Sequence, residues 1–584
     1  MTGNRVLLQS TFCYPRIRPS WFLLLSVTIA ATYCTMLSLV QSGIASQPNV
    51  IVINIDDMGA GDFSAYGSQF SSTPNIDQLA SQGTRFTQFY AGAPICSPSR
   101  AALFTGQYAA RSGINSFLDS STSNLNRDNV NHLSLEAPSM AATFQDAGYA
   151  TGHFGKWHLG GGRDVGYETN PSASTNVAAP RIVEYGYDQA WTQFEGLANR
   201  IVNVVDYGGD AAGVSTRPSA YFNGLNQMSD NLGTGGGIDE IVYLEREFNA
   251  NFMVDRAIDF LGTSKQANPD QSVFMNVWFD EVHTPHDPPP ALKAKYDSLY
   301  PNLPEESRNY LAVLEATDTQ VGRLIDYIDQ QGLGEETLIL VTADNGATAT
   351  NVNNIGSAVP SLRGSKGDLF EGGFREPLIA RWTGNVAANR VDSETVMWQT
   401  DLFPTLTSLT GVSQPAGVTF DGEDMSTALL GVASQTRTTP LFWNMNRANE
   451  NRHVNPDPNG AGANGQEVLA IRSGDWKLLI NARGTSPELY NLATDAGETT
   501  NLATQQAGMT EQLASQALAI RYSTPSRTLP DAVNAVVQLK AEDLASLGNG
   551  ASIGSWSDSS TGDSFNGSVS QPTVNAQPTL VRLS

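Results

Sequence analysis

Three groups of side chains in this sequence have the types and spacing that chemistry requires, and the first is a cysteine. The chain has three cysteines, of which Cys13 and Cys34 lie in an N-terminal leader. Once that leader is set aside, Cys96 has no partner for an internal disulfide. A lone cysteine is either a small buried side chain or a residue with a chemical role. The surrounding sequence is needed to choose between these two interpretations.

Acidic residues form the second group. Asp56 and Asp57 directly follow one apolar run, and Asp344 and Asn345 follow another soon after it ends. Either pair alone is typical of a turn, but adjacent carboxylates repel each other unless a cation or hydrogen-bond donors compensate. Together the four residues supply three carboxylates and an amide oxygen. Such hard ligands suit Ca2+ or Mg2+ rather than Zn2+, because no Cys/His ligand spacing accompanies them.

Basic and imidazole side chains form the third group. Lys156 and His158 lie in the segment G-K-W-H-L-G, and Lys366 lies in R-G-S-K. His283 and His286 lie in V-H-T-P-H-D-P, where each histidine is followed two residues later by a proline. Each segment alone would be unremarkable on a protein surface. Their joint occurrence with the first two groups indicates a site for an anionic substrate.

The run C-S-P-S-R-A-A-L-F-T-G, which begins at Cys96, resembles the signature of the formylglycine-dependent sulfatases, an arylsulfatase-like family of the alkaline phosphatase superfamily. The acidic pairs, G-K-W-H-L-G and the Lys366 segment match the same family, and the resemblance runs from about residue 49 to 501. It implies that Cys96 is oxidised during export to formylglycine, whose hydrate attacks the sulfur of a sulfate ester. It also implies bound Ca2+, with Mg2+ as the lesser alternative, at Asp56, Asp57, Asp344, Asn345 and the oxidised Cys96.

The resemblance assigns roles to the cationic residues as well. The residues implied to be catalytic are Cys96, Arg100, Lys156 and His158. The residues implied to bind the substrate are His283, His286 and Lys366. A proline just before the histidine is common in the family, which favours His286 over His283. Cations are what a sulfate ester requires, because negative charge must be held while the S–O bond breaks.

The implied mechanism moves three protons. Asp344 assists deprotonation of the attacking hydroxyl, and Lys366 or one of the two histidines protonates the departing alcohol. His158 then takes the proton whose removal lets sulfate leave. The scheme divides one difficult step into two easier ones, which is the general logic of covalent catalysis.

The elements that must position these residues indicate an α/β fold. Residues 50–55, 273–279 and 337–342 are apolar runs of strand length, typical of strands buried on both faces. Residues 310–328 repeat apolar side chains at helical spacing. This alternation predicts a large, mostly parallel sheet flanked by helices, and the resemblance implies the alkaline-phosphatase-like version of it. Ligands of such sheets bind at the carboxyl ends of strands, where the acidic pairs lie.

Composition divides the chain into four predicted regions. They are a signal peptide or N-terminal anchor (1–45), a catalytic domain (48–435), a C-terminal subdomain (436–547) and a Ser/Gly/Asn-rich tail, predicted to be disordered (548–584). Strand-like runs at 467–471 and 476–480, joined by a turn at 472–475, predict a small antiparallel sheet in the subdomain. Irregular stretches at 160–181 and 208–237 are predicted surface insertions that wall the substrate pocket.

The leader indicates where the protein is located, and the overall charge limits the classes of partner that it can bind. Three arginines precede the apolar stretch 21–40, and small residues suited to cleavage end at position 45. We expect a cleaved signal and a periplasmic or secreted protein, with a retained membrane anchor as the alternative because the stretch is long enough to span a bilayer. The net charge of −24, from 58 acidic and 34 basic side chains, argues against a nucleic-acid partner.

The predicted function is a sulfuric ester hydrolase that releases inorganic sulfate from an aryl or carbohydrate sulfate. Its predicted partners are a sulfate-ester small molecule or glycan, and a formylglycine-generating or anaerobic sulfatase-maturing enzyme. Two alternatives stay open at this point. One is a phosphate or phosphonate monoester hydrolase of the same superfamily, and the other is an unmodified sulfoglycan-binding protein.

Overall fold

The computed structural model describes most of the chain after the predicted leader. The described residues are 47–118, 123–124, 127, 129–160, 180, 182–193, 219–222, 241–244, 246–357, 362–445, 468–481, 484–524, 556–557 and 564–565. The predicted leader and nearly all of both predicted insertions and of the tail lie outside these residues. Within the described part of the chain, no helix combines the length and the apolar character needed to cross a membrane.

Eleven strands form the main sheet. They are β1 (Asn49–Ile55), β2 (Thr84–Tyr90), β3 (Ala150–Lys156), β4 (Gln189–Gln193), β5 (Ser219–Phe222), β6 (Ile241–Leu244), β7 (Val273–Phe279), β8 (Thr337–Ala343), β9 (Arg375–Arg381), β10 (Arg390–Asp392) and β11 (Met397–Trp398). Their order is β10-β2-β9-β8-β1-β7-β3-β4-β5-β6, with β11 also beside β2. The central strands β8, β1, β7, β3 and β4 are parallel, whereas β9 is antiparallel to both of its neighbours.

The central strands are buried on both faces, as their apolar sequences predict. Every residue of β1, β7 and β8 is buried. Ile51, Ile53 and Ile55 belong to one core cluster, and Val50 and Val52 belong to another. Successive side chains of a strand point to opposite faces, so the sheet separates two hydrophobic layers that helices cover.

Eleven α-helices are described. They are α1 (Pro74–Ser81), α2 (Cys96–Thr105), α3 (Met140–Asp146), α4 (Asn249–Ala267), α5 (Pro290–Leu299), α6 (Glu305–Gln330), α7 (Ala349–Ile355), α8 (Glu371–Phe374), α9 (Leu402–Thr410), α10 (Ser426–Leu429) and α11 (Ala507–Ser523). Short 3-10 helices occupy Ser64–Tyr66, Ala109–Ser112, Ile182–Tyr185, Arg246–Phe248, Gly334–Glu336 and Gln399–Asp401. The helical pattern predicted at 310–328 lies inside α6, where every apolar position of that pattern is buried.

A separate antiparallel sheet follows the main one. Its strands, in order, are β12 (Leu441–Met445), β13 (Val468–Ser473), β14 (Trp476–Asn481) and β15 (Glu488–Asn491). The predicted turn at 472–475 is too long, because Arg472 pairs with Lys477 and Ser473 with Trp476 in the β13–β14 ladder. The side chain of Arg472 is buried, donates to Tyr90 and lies 2.7 Å from Oε1 of Gln88, and these bonds explain why a polar residue continues the strand.

The two sheets share a core. Phe374, at the end of α8, stacks on Trp443 of β12 with ring centroids 4.3 Å apart, and one hydrophobic cluster contains residues from both sheets. A further pair, β16 (Trp556–Ser557) and β17 (Ser564–Phe565), is antiparallel. The predicted fold class, a large mostly parallel sheet flanked by helices plus a small antiparallel sheet, is confirmed. The domain boundaries stay predictions.

Candidate active site

Most of the predicted site residues meet at the carboxyl edge of the central strands. Asp56 follows β1, and its backbone N–H donates to Phe279 O at the end of β7 (3.0 Å). Asp344 follows β8, and its N–H donates to Ile55 O at the end of β1 (3.3 Å). Lys156 is the last residue of β3. Parallel strands in register therefore bring residues that are hundreds of positions apart to one edge of the sheet, as the α/β topology predicts.

A cluster of oxygen ligands lies at this edge. Asp56, Asp57 and Asp344 each offer an oxygen, and these oxygens lie within 4.8 Å of one another. The N–H of Asp57 donates to Oδ1 of Asp344 (3.2 Å), and the Asn345 amide donates to Oδ1 of Asp57 (2.9 Å). Oδ1 of Asn345 is buried and accepts no hydrogen bond from the described residues. A buried amide oxygen without a donor beside three carboxylates fits a hard divalent cation.

Three cations face the three carboxylates. Lys156 donates to Asp56, and Nη2 of Arg100 lies 2.7 Å from Oδ2 of Asp344. Nζ of Lys366 completes the set, 2.6 Å from Oδ2 of Asp57. The carboxylates are buried, and buried charges persist only when paired. Each carboxylate predicted to bind metal thus has its own basic partner from the predicted catalytic or substrate-binding group.

Burial and charge push the pKa values of two of these carboxyls in opposite directions. Burial, together with the charges of Asp56 and Asp57, raises the pKa of Asp344 to about 7 against the opposing effect of Arg100 and Lys156. Burial also acts to raise the pKa of Asp56, but Lys156 and three further cationic groups hold it well below its usual range. Neighbouring carboxyls whose pKa values are shifted in opposite directions are typical of sites that transfer protons.

Cys96 lies beside these carboxylates as the first residue of α2. Its Sγ is 3.5 Å from Oδ1 of Asp56, and the residue is 2% exposed. Burial, followed by the charge of Asp56, raises the pKa of the thiol to about 12. The thiol is therefore protonated at neutral pH and is a poor nucleophile. Its position fits a catalytic residue, whereas its unmodified chemistry does not.

Arg100 is placed by the same helix, one turn after Cys96. Its guanidinium is fully buried, donates from Nη1 to Lys156 O (2.8 Å) and lies 5.2 Å from the ring centroid of Trp278. Its Nε also donates to Oδ2 of Asp344 (2.9 Å). The side chain thus connects α2, the end of β3 and the residue after β8, and these bonds hold the guanidinium in one orientation.

His158 is tied to the start of α2 through a neighbouring loop. Its Nε2 is 2.9 Å from Leu118 O, and the N–H of Leu118 donates to Oγ of Ser97 (2.9 Å). A carbonyl oxygen only accepts, so Nε2 carries a proton, and Nδ1 is the nitrogen that can accept one whenever the ring is neutral. The backbone of His158 has φ of +58°, an uncommon conformation for a residue with a side chain.

Of the two candidate histidines, the structure places His283 at the cluster. Its Nε2 lies 3.5 Å from Oδ2 of Asp57, and its ring nitrogen falls within the same 4.8 Å group as ligand atoms of Asp56 and Cys96. Nδ1 of His283 bonds the carbonyl oxygen of Thr284 (2.7 Å), which leaves Nε2 to face the carboxylates.

His286 lies elsewhere. Its Nε2 bonds Val282 O (3.0 Å), and its ring packs edge-on against Tyr310. Burial lowers the pKa of His286 to about 4, so the ring is neutral near pH 7 and has no positive charge to offer an anion. The geometry therefore favours His283, contrary to the sequence-based preference for His286, because the fold turns the second histidine towards α6.

Two residues outside the predicted set support the site. Gln399 is fully buried, accepts from Gly92 N (2.7 Å) and Ser99 Oγ (2.6 Å), and donates to Ala343 O (3.0 Å). Arg246 donates from Nη2 to His283 O (2.7 Å). Neither residue lies in a recognisable motif, and only the fold brings them to the site.

A comparison with known families agrees with this geometry. The Sulfatase family model matches residues 48–412, which is more than half of the chain. The chain belongs to the sulfatase family. This sulfatase is 30% identical to arylsulfatase A of Homo sapiens over 493 residues, which cover 80% of this chain and 86% of that protein. The prediction of a sulfuric ester hydrolase is confirmed at this level.

Solved structures show the same fold. The crystal structure of Ps i-CgsB in complex with k-i-k-neocarrahexaose matches with a TM-score of 0.63 and 22% identity, covering 86% of this chain and all of that one. The phosphonate monoester hydrolase of Agrobacterium radiobacter matches with a TM-score of 0.52 and 20% identity, covering 82% of this chain and 97% of that one. At such identities the likeness concerns the fold alone.

Proposed function

We propose that this sulfatase hydrolyses a sulfate monoester of an aryl or carbohydrate alcohol, using a formylglycine derived from Cys96 and a bound Ca2+. The observation that supports this most directly is the position of Cys96, whose Sγ is 3.5 Å from a predicted metal ligand at the start of a buried helix. The thiol itself is protonated there, since burial raises its pKa to about 12. Oxidation to an aldehyde replaces this poorly nucleophilic thiol, since the hydrated aldehyde attacks through oxygen.

The residues that would hold the cation are Asp56, Asp57, Asp344, Asn345 and the oxidised Cys96. Formylglycine would supply a hydrated aldehyde as the nucleophile, and the cation would neutralise sulfate oxygens. The all-oxygen ligand set and the buried Oδ1 of Asn345 support Ca2+ over a transition metal. Mg2+ is the lesser alternative, because it demands a more regular octahedral arrangement.

The remaining residues bind, orient and move protons. Arg100 lies one turn after Cys96, and Lys156 bonds Asp56, whose Oδ1 is 3.5 Å from Sγ of Cys96. Both orient the oxygens of the modified residue. Lys156 also binds the sulfate oxygens. Lys366, with Nζ near Asp57, and His283, with Nε2 facing the same carboxylate, bind them as well. One of these two gives a proton to the departing alcohol. Nδ1 of His158 accepts the proton whose removal completes the turnover.

The substrate class follows from charge and from the named relatives. Lys156, Lys366 and His283 suit a small tetrahedral anion. Similar proteins include a steryl-sulfatase of Mus musculus and an N-acetylgalactosamine-6-sulfatase of Canis lupus familiaris. These names support both small hydrophobic alcohols and sugars as classes for the alcohol.

Maturation and location belong to the same proposal. Cys96 is oxidised during export by a formylglycine-generating or anaerobic sulfatase-maturing enzyme, and the protein acts in the periplasm or outside the cell. The N-terminal segment is removed as a signal peptide, with a retained anchor as the alternative. The basic and apolar pattern of residues 1–45 supports this proposal.

The decisive experiment measures inorganic sulfate released from a panel of aryl and carbohydrate sulfates. We expect turnover by the wild type and none above background by Cys96→Ala, and mass spectrometry of the wild-type peptide should show aldehyde in place of thiol. Activity that survives in Cys96→Ala contradicts the mechanism. Strong preference for 4-nitrophenyl phosphate over 4-nitrophenyl sulfate contradicts the substrate assignment, and tight binding of sulfated sugars without release identifies an unmodified binding protein.

A further inference from the structure

A buried cluster of three charged residues connects the small sheet to the main one. Nζ of Lys477, in β14, lies 3.1 Å from Oε1 of Glu371 and 2.7 Å from Oε1 of Glu498. All three side chains have no exposed surface. Burying charges has a large desolvation cost, which is recovered only when the partners are well placed. Such a cluster therefore holds its members in a defined geometry.

Further bonds hold Glu371, the first residue of α8. Oε2 of Glu498 accepts from the Glu371 N–H (2.7 Å), and Tyr90 OH donates to Oε2 of Glu371 (2.6 Å). The Lys477 ammonium also lies 4.4 Å from the ring centroid of Phe374. Both the side chain and the backbone of Glu371 are thus fixed by residues of the C-terminal region and of β2.

Glu371 is five residues after Lys366, in a segment that is folded tightly on itself. The N–H of Gly372 donates to Arg363 O (2.7 Å), which closes the segment. A Cβ added to Gly373 would lie 2.0 Å from Asp368 O, so the backbone of this segment packs closely against itself. We define residues 363–374 as the lysine loop.

The lysine loop is also anchored beside Lys366. The N–H of Lys366 donates to Ala347 O (2.8 Å), and that of Gly367 donates to Pro94 O (2.8 Å). Ala347 follows the predicted metal ligands of the main sheet, and Pro94 precedes Cys96. The position of Nζ of Lys366 relative to both therefore depends on the shape of this loop.

The other end of the lysine loop contacts the C-terminal region as well. Nη1 of Arg363 donates to Glu498 O (3.0 Å) and to the Tyr490 hydroxyl (3.2 Å). The same guanidinium lies 3.7 Å from the ring centroid of Phe370. Glu498 thus contacts the loop at both ends, through its carbonyl at Arg363 and through its carboxylate at Glu371.

The structure assigns Lys477 as a positioning residue for Lys366, acting through Glu371 and Glu498 to hold the lysine loop in the geometry that binds the sulfate group. The small C-terminal sheet is then a working part of the active site, although none of its described residues belongs to the carboxylate and cation cluster around Cys96. This inference rests on the proposed role of Lys366 in substrate binding.

The test compares Lys477→Met with Lys366→Ala and with the double variant in steady-state hydrolysis of 4-nitrophenyl sulfate. We expect Lys477→Met to raise KM by roughly tenfold, the loss expected for one charge-assisted contact, with formylglycine content unchanged. In the Lys366→Ala background the same substitution should have little further effect, because the residue that it positions is gone. A merely structural defect would act equally in both backgrounds.

A second variant distinguishes a folding defect from a loss of positioning. Lys477→Met alone leaves the buried carboxyl of Glu498 without its ammonium partner, so Lys477→Met/Glu498→Gln replaces that carboxyl with a neutral amide and should fold while retaining the raised KM. Lys295→Met, which breaks the exposed Lys295–Glu315 pair, is the matched control and should leave KM unchanged. An unchanged KM in folded Lys477→Met, or an additive effect in the double variant, overturns the inference.

Amide hydrogen exchange measures the local stability of the lysine loop independently of enzyme activity. Peptides covering 363–374 should exchange faster in Lys477→Met, whereas peptides of β1 and β8 should not change. If the wild type releases no sulfate from any ester, the proposed function fails, and exchange still reports on the loop. If the wild type is active and depends on Lys366, but exchange and KM are unaffected in Lys477→Met, only the present inference fails.

Discussion

Nζ of Lys366 lies 2.6 Å from Oδ2 of Asp57, although 309 positions separate the two residues in the chain. Lys156 bonds Asp56 in the same way. Both lysines are expected at the substrate, and both carboxylates are expected at the cation. A divalent cation that neutralises Asp56 and Asp57 would release the two ammonium groups to an anion, so cation and anion binding should support each other.

The first prediction concerns this coupling. Removing Ca2+ with a chelator should weaken binding of inorganic sulfate by about tenfold or more, because the lysines return to their carboxylates. Calorimetric titration of sulfate with and without Ca2+ measures the effect. Reciprocity requires sulfate to tighten Ca2+ binding by the same factor. Equal sulfate affinity in both states would contradict the coupling.

The second prediction separates the two histidines. His283→Ala should lower kcat/KM for a sulfate ester by about 100-fold, the effect of losing a group that binds or protonates in the transition state. His286→Ala should change kcat/KM much less and should mainly reduce thermal stability, because His286 packs on Tyr310 rather than at the cluster. Kinetics and thermal melts of both variants provide the measurement, and the reverse ranking would restore the sequence-based preference.

The third prediction uses two glycines with positive φ. A Cβ on Gly155 would lie 2.0 Å from Trp278 O, whereas a Cβ on Gly148 would meet no atom within 4 Å. Gly148→Ala should cost about 1–2 kcal/mol from backbone strain alone, and Gly155→Ala about 3 kcal/mol or more from strain plus overpacking. Because Gly155 precedes Lys156, only Gly155→Ala should also impair turnover. Urea denaturation and kinetics test both expectations.

The fourth prediction concerns pH. His153 is fully buried among Trp157, Tyr187 and Trp278, and burial, with a smaller effect of Arg100, lowers its pKa from 6.5 to about 3. The unfolded chain binds this proton more readily than the folded one. The contribution of His153 to stability is therefore complete above about pH 6.5 and is lost progressively towards about pH 3, by up to about 1.4 kcal/mol per pH unit.

His153→Phe tests this sign, because it keeps an aromatic ring without the titrating group. The free energy of unfolding, measured in urea at pH 7, 6 and 5, should fall less steeply with decreasing pH in His153→Phe than in the wild type. Parallel slopes for the two proteins would show that His153 does not contribute.

Much of the fold and part of the site can be predicted from the sequence for local reasons. The apolar run Val273–Phe279 has the length and the β-branched and aromatic composition of a buried strand, and β7 has these bounds. The acidic pairs follow strands whose parallel arrangement is predictable, so their meeting at one edge of the sheet is predictable too. The turn at 472–475 was predicted too long, because the burial of Arg472 against Tyr90 and Gln88 depends on another sheet.

Cys96, the acidic pairs, Lys156 and Lys366 are recognisable from their types and spacing alone, so the chemical groups of the site can be predicted before the fold is known. Which of these residues face one another depends on the fold. The local pattern around His283 and His286 favours His286, and only the packing of His286 against α6 shows that His283 is the histidine at the cluster. Gln399 and Lys477 have no motif at all. Their partners come from distant segments. Burial removes water from polar groups, so these groups need hydrogen-bond or ion-pair partners that only the fold brings close to them.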